Sequence, residues 1–390
     1  MSPMKNTLLT VLAGCACAFG FSGLPEGFKE LAIGEAAPAF ELPGTDGKTY
    51  TLESFSDADV LMLYFTGTHC PTSHGLESRL QQFVEQMKGE SFQIVAINPN
   101  NDDGLTPDEY SYSHYTESFE DSKKYAEDLG WDFPFLYDGH EQIVARQYGC
   151  LATPHVFVFD KERHLRYQGR FDDSRFADPS TVNQRDAQNA VEALLAGKPV
   201  PVEKTRPFGC STKWKEKKAW VEQDDERWAA LPVSVEGIDL EGVKKLRQNG
   251  THKVRLINVW STSCVPCKAE MPDLAKVARR FSRRNFEIIT LSLDEIGQQE
   301  KVERFLGKTR MVMSDTLKKS VLKEGRQTNN YIYEDASIDA LAEVLDPSWE
   351  GPIPFSLLLD PQGNVLFKRQ GIVHEDELKD AALDYLKTTW

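Results

Sequence analysis

The sequence predicts an α/β protein with two domains in tandem, each built from a mixed central sheet flanked by helices. A unit of buried strand, cysteine and helix occurs twice, with Cys70 after the apolar run 60–65 and Cys264 after the apolar run 254–260. In both halves a later apolar strand begins directly after a proline. The length of 390 residues also suggests two ordinary domains rather than one.

The first half reads as an alternation of strands and helices between turn-rich segments. In order we expect a hairpin over 34–54, a strand at 60–65, a helix from 70 to about 88, a strand at 92–97, helices at 119–129 and 142–148, strands at 152–160 and 164–169, and a helix at 182–196. The polar stretch 98–117, rich in Asn, Asp, Tyr and Ser, predicts an exposed loop.

The second half repeats this order. We expect a strand at 254–260, a helix at 268–281, a strand at 286–293, a helix at 299–306, strands at 354–360 and 365–369, and a helix at 375–386. The predicted boundaries are an export signal at 1–18, a first domain at 24–200, a linker at 201–236 and a second domain at 237–390.

Cys264 and Cys267 have C-x-x-C spacing where a buried strand gives way to a helix. The free N–H groups and the dipole of a helix N-terminus stabilise a thiolate, so Cys264 is expected to be nucleophilic near neutral pH. Cys267 lies one turn into the helix, close enough to form a disulfide with Cys264. Half of a structural zinc site is the alternative, but the other Cys and His residues are scattered singly. The spacing therefore favours redox chemistry.

The motif resembles the active site of the TlpA/ResA-like branch of the thioredoxin superfamily, which has C-x-x-C-x-x-E-x-P. Cys264, Cys267, Glu270 and Pro272 match it, whereas Ser263 stands where the family usually has Trp. The resemblance implies that Cys264 attacks a disulfide of a protein substrate, that Cys267 resolves the mixed disulfide, and that Glu270 relays protons.

The proline that begins a strand in each half is a second feature of this superfamily. The resemblance implies that the Thr153-Pro154 and Ile353-Pro354 bonds are cis and that the two prolines lie against the cysteines. An ordinary trans proline in a turn is the alternative.

The first half resembles the AhpC/TSA redoxin group, through Cys70-Pro71 and Thr153-Pro154 among other matches. A peroxiredoxin of this group has P-x-x-x-[T/S]-x-x-C, but Leu63 and Gly67 stand at its Pro and Thr positions. What remains is the C-x-x-S motif from Cys70 to Ser73.

His69 and His74 lie beside Cys70 in the sequence and are candidates for lowering the pKa of its thiol. The first half is then a peroxidase with an unusual site, a non-catalytic docking module, or one part of a disulfide isomerase. An inert buried Cys70 is a further alternative, although we expect this junction to be exposed.

Cys150 and Cys210 are not explained by the resemblance. The segment 197–209 is long enough to return across a domain, since an extended residue spans about 3.3 Å. We expect Cys210 to pair within the first domain, with Cys150 preferred and Cys70 as the other candidate.

Net charge is −15, and all of the excess acidity lies in the first half: residues 23–200 hold 14 Lys+Arg and 30 Asp+Glu, and residues 201–390 hold 30 of each. This balance argues against nucleic acid as a partner. No metal, haem or nucleotide cofactor is indicated, because no C-x-x-C-H, phosphate loop or ligand cluster is present. The expected partners are protein thiols and disulfides, with a membrane or periplasmic electron donor.

The N-terminus, with Lys5 before an apolar run, is typical of an export signal and too short for a spanning helix. Cleavage after Ala18 and lipidation of Cys15 are the two ways of processing it, and membrane contact is expected only for the second. The predicted location is the periplasm or the cell envelope.

Overall fold

The computed structural model describes residues 23–335 and 337–390. The strands of the first half are β1 Glu41–Pro43, β2 Thr49–Thr51, β3 Val60–Phe65, β4 Phe92–Asn98, β5 Phe135–Tyr137, β6 Ala152–Thr153, β7 His155–Phe159 and β8 Leu165–Gly169. Its helices are α1 Pro71–Gln86, α2 Phe119–Leu129, α3 Ile143–Tyr148 and α4 Asp186–Leu195. Strand β9 Cys210–Ser211 and helix α5 Lys218–Ala229 follow.

The second half contains a second set of strands and helices. The strands are β10 Glu236–Ile238, β11 Val254–Trp260, β12 Phe286–Ser292, β13 Asn330–Tyr333, β14 Phe355–Leu359 and β15 Val365–Gln370. The helices are α6 Leu240–Gln248, α7 Val265–Arg280, α8 Gln299–Lys308, α9 Asp315–Lys323, α10 Ile338–Leu345 and α11 Glu375–Leu386.

Each half has its own mixed sheet. The first has the strand order β5-β4-β3-β7-β8 and the second has the order β10-β13-β12-β11-β14-β15. In both, the strand before the cysteine is central, with a parallel neighbour on one side and an antiparallel neighbour on the other. The predicted fold class, two thioredoxin-like domains in tandem, is confirmed.

The central strands are buried along their whole length because helices cover both faces of each sheet. In β3, Met62 packs with Leu80 of α1 on one face, and Leu63 packs with Tyr148 of α3 on the other. Each central strand ends shortly before a cysteine that caps the next helix. The fold thus places Cys70 and Cys264 at equivalent strand–helix junctions.

The expectation of an exposed loop at 98–117 was wrong. The segment forms two short 3-10 turns, and Tyr110, Ser113 and Glu117 are buried. Arg280 of α7 donates to the carbonyl oxygen of Ser113 at 2.6 Å, and its guanidinium lies over the Tyr110 ring. Polar groups that would face water in an isolated domain are therefore satisfied by the second half of the chain.

The segment 201–236 packs on both halves. Its strand β9 pairs with β6, Trp214 is buried in a core cluster of the first half, and Lys218 forms an ion pair with Asp103. On the other side, Asp224 of α5 forms an ion pair with Arg279 of α7. The expected boundaries at 24–200, 201–236 and 237–390 stay a prediction.

The sequence pattern missed several elements of the second half. These are β10, α6, α9, β13 and α10, of which β13 is fully buried between β10 and β12. The predicted export signal at 1–18 and Cys15 lie outside the described residues. Within the described part of the chain, no helix has both the length and the apolar character needed to cross a membrane.

Candidate active site

Cys264 caps the N-terminus of α7, and its sulfur accepts a hydrogen bond from the Cys267 N–H at 3.2 Å. Strand β11 ends at Trp260, and Pro266 in the first turn of α7 suits a position that has no helical N–H partner. Cys264 is partly exposed, whereas its neighbour Val265 is 71% exposed. A large partner can therefore approach the Cys264 sulfur from solvent.

Cys267 is fully buried and forms a disulfide with Cys264, with the two Cα atoms 5.3 Å apart. The predicted partnership of the two cysteines is therefore present in the structure. Only one of the two cysteines is exposed to solvent, so the two differ in how a partner can reach them.

Glu270 lies one helical turn beyond Cys267 on the same face of α7 and is buried. One carboxylate oxygen accepts from the Asn258 side-chain amide at 2.8 Å, and the other accepts from the Val373 N–H at 2.9 Å. Burial raises the pKa of Glu270, and these two hydrogen bonds oppose the rise without cancelling it. A carboxyl group in this state is suited to taking up and releasing a proton.

Pro354 is buried, and the Ile353-Pro354 bond is cis, as expected. The carbonyl oxygen of Ile353 lies 3.8 Å from the Cys264 sulfur. The proline that precedes β14 thus lies beside the cysteine pair, and an extended substrate bound along this edge would be held close to Cys264.

Cys70 occupies the equivalent position at the N-terminus of α1, but its environment differs from our expectation. We expected this junction to be exposed, but Cys70 is fully buried. Its sulfur lies 3.0 Å from the carbonyl oxygen of Thr153. Pro154, whose bond to Thr153 is cis, follows directly. The scaffold of strand, cysteine, helix and cis proline is thus the same in both halves, while the access to the sulfur is not.

Ser73 takes the place that Cys267 has in the second half. Its side chain is buried, and its hydroxyl oxygen has no hydrogen-bond partner among the described residues. The serine of the C-x-x-S motif therefore makes no hydrogen bond to the Cys70 sulfur through its hydroxyl.

Cys210 contacts Cys70 and not Cys150. Its N–H donates to the Cys70 sulfur at 3.4 Å. Cys150 is fully buried, and its sulfur lies 3.5 Å from the Thr212 hydroxyl. The preference for a Cys150–Cys210 bond therefore does not match the structure, in which the three thiols are free and Cys210 lies at the other candidate.

Of the two histidines beside Cys70, His69 is the one that lowers the pKa of the Cys70 thiol. His69 is buried and forms an ion pair with Glu117, which is also buried. The two ring nitrogens of His74 instead lie within hydrogen-bond distance of the carbonyl oxygens of Thr68 and Thr388. His74 thus connects the first half to the end of the second.

Burial alone would raise the pKa of the Cys70 thiol. The hydrogen bonds from Cys210 and the charge of His69 outweigh burial, so that this pKa lies well below its usual range. Hydrogen bonding to Cys70 raises the pKa of Cys210 well above its usual range, and burial adds to the rise. Burial raises the pKa of Cys150 to about 12. Cys150 is therefore suited to packing rather than to thiolate chemistry.

Two features of these sites escaped the sequence reasoning. Glu117 and His69 are 48 positions apart, and the loop that carries Glu117 has no pattern that predicts burial. Asn258, which lies in the apolar run before Cys264, donates to Glu270, and no pattern in the sequence indicates this contact. Among the described residues, no group of three or more His, Cys, Asp or Glu side chains is arranged to hold a metal ion.

The AhpC/TSA family model matches residues 33–168 and 230–383, which together make up more than half of the chain. The chain belongs to the AhpC/TSA family. Its relatives include the thiol-disulfide oxidoreductase ResA of Bacillus cereus, which is 27% identical over 141 residues, 36% of this chain and 68% of that protein.

Solved structures similar to this chain include a hypothetical protein from Sinorhizobium meliloti 1021, with 33% identity, 48% of this chain and 96% of that chain covered, and a TM-score of 0.42. An uncharacterized conserved protein from Geobacillus kaustophilus has 34% identity, with 48% of this chain and 94% of that chain covered, and a TM-score of 0.42. The family match and the curated relatives confirm the predicted general class of activity, a thiol–disulfide oxidoreductase.

Proposed function

We propose that this chain is an exported oxidoreductase that exchanges electrons with protein thiols and disulfides through Cys264 and Cys267. The observation that carries the proposal is the asymmetry of this pair. A partly exposed sulfur caps a helix, and a buried sulfur bonded to it lies one turn deeper. This arrangement suits a thiolate that attacks from outside and a second thiol that resolves from inside.

In the reducing direction, the Cys264 thiolate attacks one sulfur of a substrate disulfide, and the other sulfur leaves as a thiolate. Cys267 then loses its proton, attacks the Cys264 sulfur and releases the substrate as a dithiol. Two electrons pass to the substrate, and the Cys264–Cys267 disulfide forms. A membrane or periplasmic donor must then reduce it for the next turnover.

Glu270 is proposed to accept the proton that Cys267 loses. Its pKa is raised by burial, which makes its carboxylate a better base than an exposed one. Pro354 and the Ile353 carbonyl are proposed to form one wall of the substrate groove, because they lie beside the Cys264 sulfur. Ser263, where the related motif has Trp, leaves this edge less covered.

The test uses insulin as substrate, with the full chain in reduced form. Cys264→Ser should abolish reduction of insulin, and Cys267→Ser should accumulate a mixed disulfide between insulin and Cys264. Cys150→Ser is the matched control and should keep full activity, because Cys150 is buried among core residues. Insulin attached to Cys267, or unchanged turnover by Cys264→Ser, would contradict the proposal.

Export is proposed from the pattern at the N-terminus and has its own test. Mass spectrometry of the protein purified from the cell envelope should find a chain that begins at Phe19, or one that begins at a lipid-bearing Cys15. A mature protein that still carries Met1 would rule out both.

A further inference from the structure

The segment that follows the first domain brings a second sulfur to Cys70. Strand β9 runs antiparallel to β6, with Cys210 opposite Thr153 and Ser211 opposite Ala152. Gly209 makes this approach possible: its φ is +146°, and a Cβ there would lie 2.1 Å from the Thr153 carbonyl oxygen. A glycine is therefore required immediately before Cys210 for the two strands to meet at this distance.

The two thiols differ in how they can be reached. A cavity of about 330 Å³ between the two halves is lined by Cys210, His69, Pro71, Arg284 and Trp390 among others, while Cys70 lies behind this lining. Cys210 is partly exposed, and Cys70 is fully buried. A molecule that enters the cavity meets the Cys210 sulfur first.

We propose that Cys70 and Cys210 form a second redox-active pair, separate from Cys264 and Cys267, in which Cys210 is the sulfur attacked from outside and Cys70 is the leaving thiolate. The cavity, with a volume of about 330 Å³, suits a small thiol, such as a cysteine-containing peptide, as the attacking group. This inference goes beyond the proposed function and does not depend on it.

A small disulfide oxidises the two free thiols to the Cys70–Cys210 bond by thiol–disulfide exchange and is itself reduced to two thiols. The oxidised pair then reacts in two steps. A small thiolate attacks the Cys210 sulfur, the Cys70–Cys210 bond breaks, and Cys70 leaves as a thiolate while a mixed disulfide forms on Cys210. A second small thiolate then attacks the sulfur of the bound molecule, which departs as a disulfide, and Cys210 takes up a proton. Two small thiols have been oxidised by two electrons, and the pair has been reduced.

The surroundings of Cys70 favour its role as the leaving group. The helix N-terminus, His69 and the N–H of Cys210 all stabilise negative charge on the Cys70 sulfur. A thiol with a low pKa leaves faster, and a stabilised reduced form makes the disulfide a stronger oxidant. The pair is therefore expected to accept electrons readily.

The experiment uses the full chain with Cys264→Ser and Cys267→Ser, so that only the first domain can exchange. The protein is incubated with oxidised glutathione, unfolded, alkylated and digested without reductant. Mass spectrometry should find the peptide of Cys70 joined to the peptide of Cys210, with Cys150 alkylated. A Cys150–Cys210 link, or alkylation of both Cys70 and Cys210, would overturn the proposal.

Two further variants on this background test the order of attack. Cys70→Ser should retain glutathione on Cys210, because no second thiol can displace it. Cys210→Ser should take up glutathione on Cys70 more slowly than Cys70→Ser takes it up on Cys210, because the Cys70 sulfur is buried and out of reach of the disulfide. The loss of Cys70 also removes the hydrogen bond that raises the pKa of Cys210. Equal rates, or faster reaction at Cys70, would overturn the assignment of Cys210 as the attacked sulfur. Circular dichroism checks that each variant is folded. The disulfide mapping described above keeps both Cys70 and Cys210, so it tests the proposal even if one of these variants does not fold.

Discussion

The two cysteine sites share a scaffold and differ in where the second sulfur comes from. In the second half, Cys267 lies in the first turn of the helix that Cys264 caps. Cys264 is partly exposed, so its sulfur is accessible from solvent. In the first half, Ser73 occupies that position, and Cys210 arrives from a strand outside the domain core. A fold thus fixes the place of the first sulfur, whereas the chemistry depends on which atoms lie beside it.

The two sites also differ in the carboxylate that supports each of them. Glu270 is held by neutral donors, and burial raises its pKa. Burial opposes ionisation of Glu117 as well, but the charge of His69 outweighs it and lowers the pKa of Glu117. One carboxyl group is therefore suited to moving a proton, and the other is suited to staying charged and fixing His69.

The largest expected effect comes from giving the first half a helix-borne second sulfur. Ser73→Cys, made together with Cys210→Ser, Cys264→Ser and Cys267→Ser, should allow a disulfide between Cys70 and position 73. The buried Ser73 hydroxyl makes no hydrogen bond among the described residues, so little is lost by the exchange. Mass spectrometry after treatment with oxidised glutathione should show the new bond within one peptide.

The matched control for that variant keeps Ser73 and carries the other three substitutions. It should form no disulfide at Cys70. If the variant with a sulfur at position 73 also forms none, the two junctions are not geometrically equivalent, and the comparison between the two halves fails.

Glu270→Gln should slow the reduction of insulin by about tenfold or more, because glutamine cannot accept the Cys267 proton. In the parent protein the resolving step should accelerate as pH rises through the raised pKa of Glu270, since only the ionised carboxylate is a base. The variant should lose this limb of the pH–rate profile. An unchanged profile would show that another group takes the proton. The Cys70–Cys210 exchange is the internal control and should not change.

Glu117→Gln should raise the pKa of Cys70, because the buried ion pair that fixes His69 beside the thiolate is lost. Thiolate absorbance during a pH titration measures this in the chain without Cys264 and Cys267. Glu120→Gln, at an exposed position of α2, is the control and should leave the titration unchanged. An equal pKa in both variants would exclude Glu117 from a positioning role.

Sequence patterns predicted correctly those features that depend only on residues close together in the chain. Strands β3 and β11 are continuous apolar runs, and the C-x-x-C motif needs only one helical turn to bring its sulfurs together. The contact of Cys210 with Cys70 depends on a two-residue strand pair, which is too short to leave a pattern. The burial of 98–117 depends on Arg280, which is far away in sequence. The cysteine inventory suggested that Cys210 approaches Cys150 or Cys70, with Cys150 preferred, whereas Cys210 contacts Cys70.

The smallest expected effect concerns the cover over the first site. Trp390 donates from its indole nitrogen to the Thr72 hydroxyl at 3.2 Å and packs against Tyr112, with the ring centroids 4.9 Å apart. It lines the cavity that leads to Cys210, yet it is itself 54% exposed, so it covers the entrance only in part. Trp390→Ala should therefore speed the reaction of Cys210 with oxidised glutathione a few-fold in the chain that lacks Cys70, Cys264 and Cys267. Tyr385→Ala removes a 38% exposed aromatic side chain from α11 and should leave the rate unchanged. Equal rates in both variants would mean that small thiols reach Cys210 by another route, and the restricted access that separates the two sites would lose its structural basis.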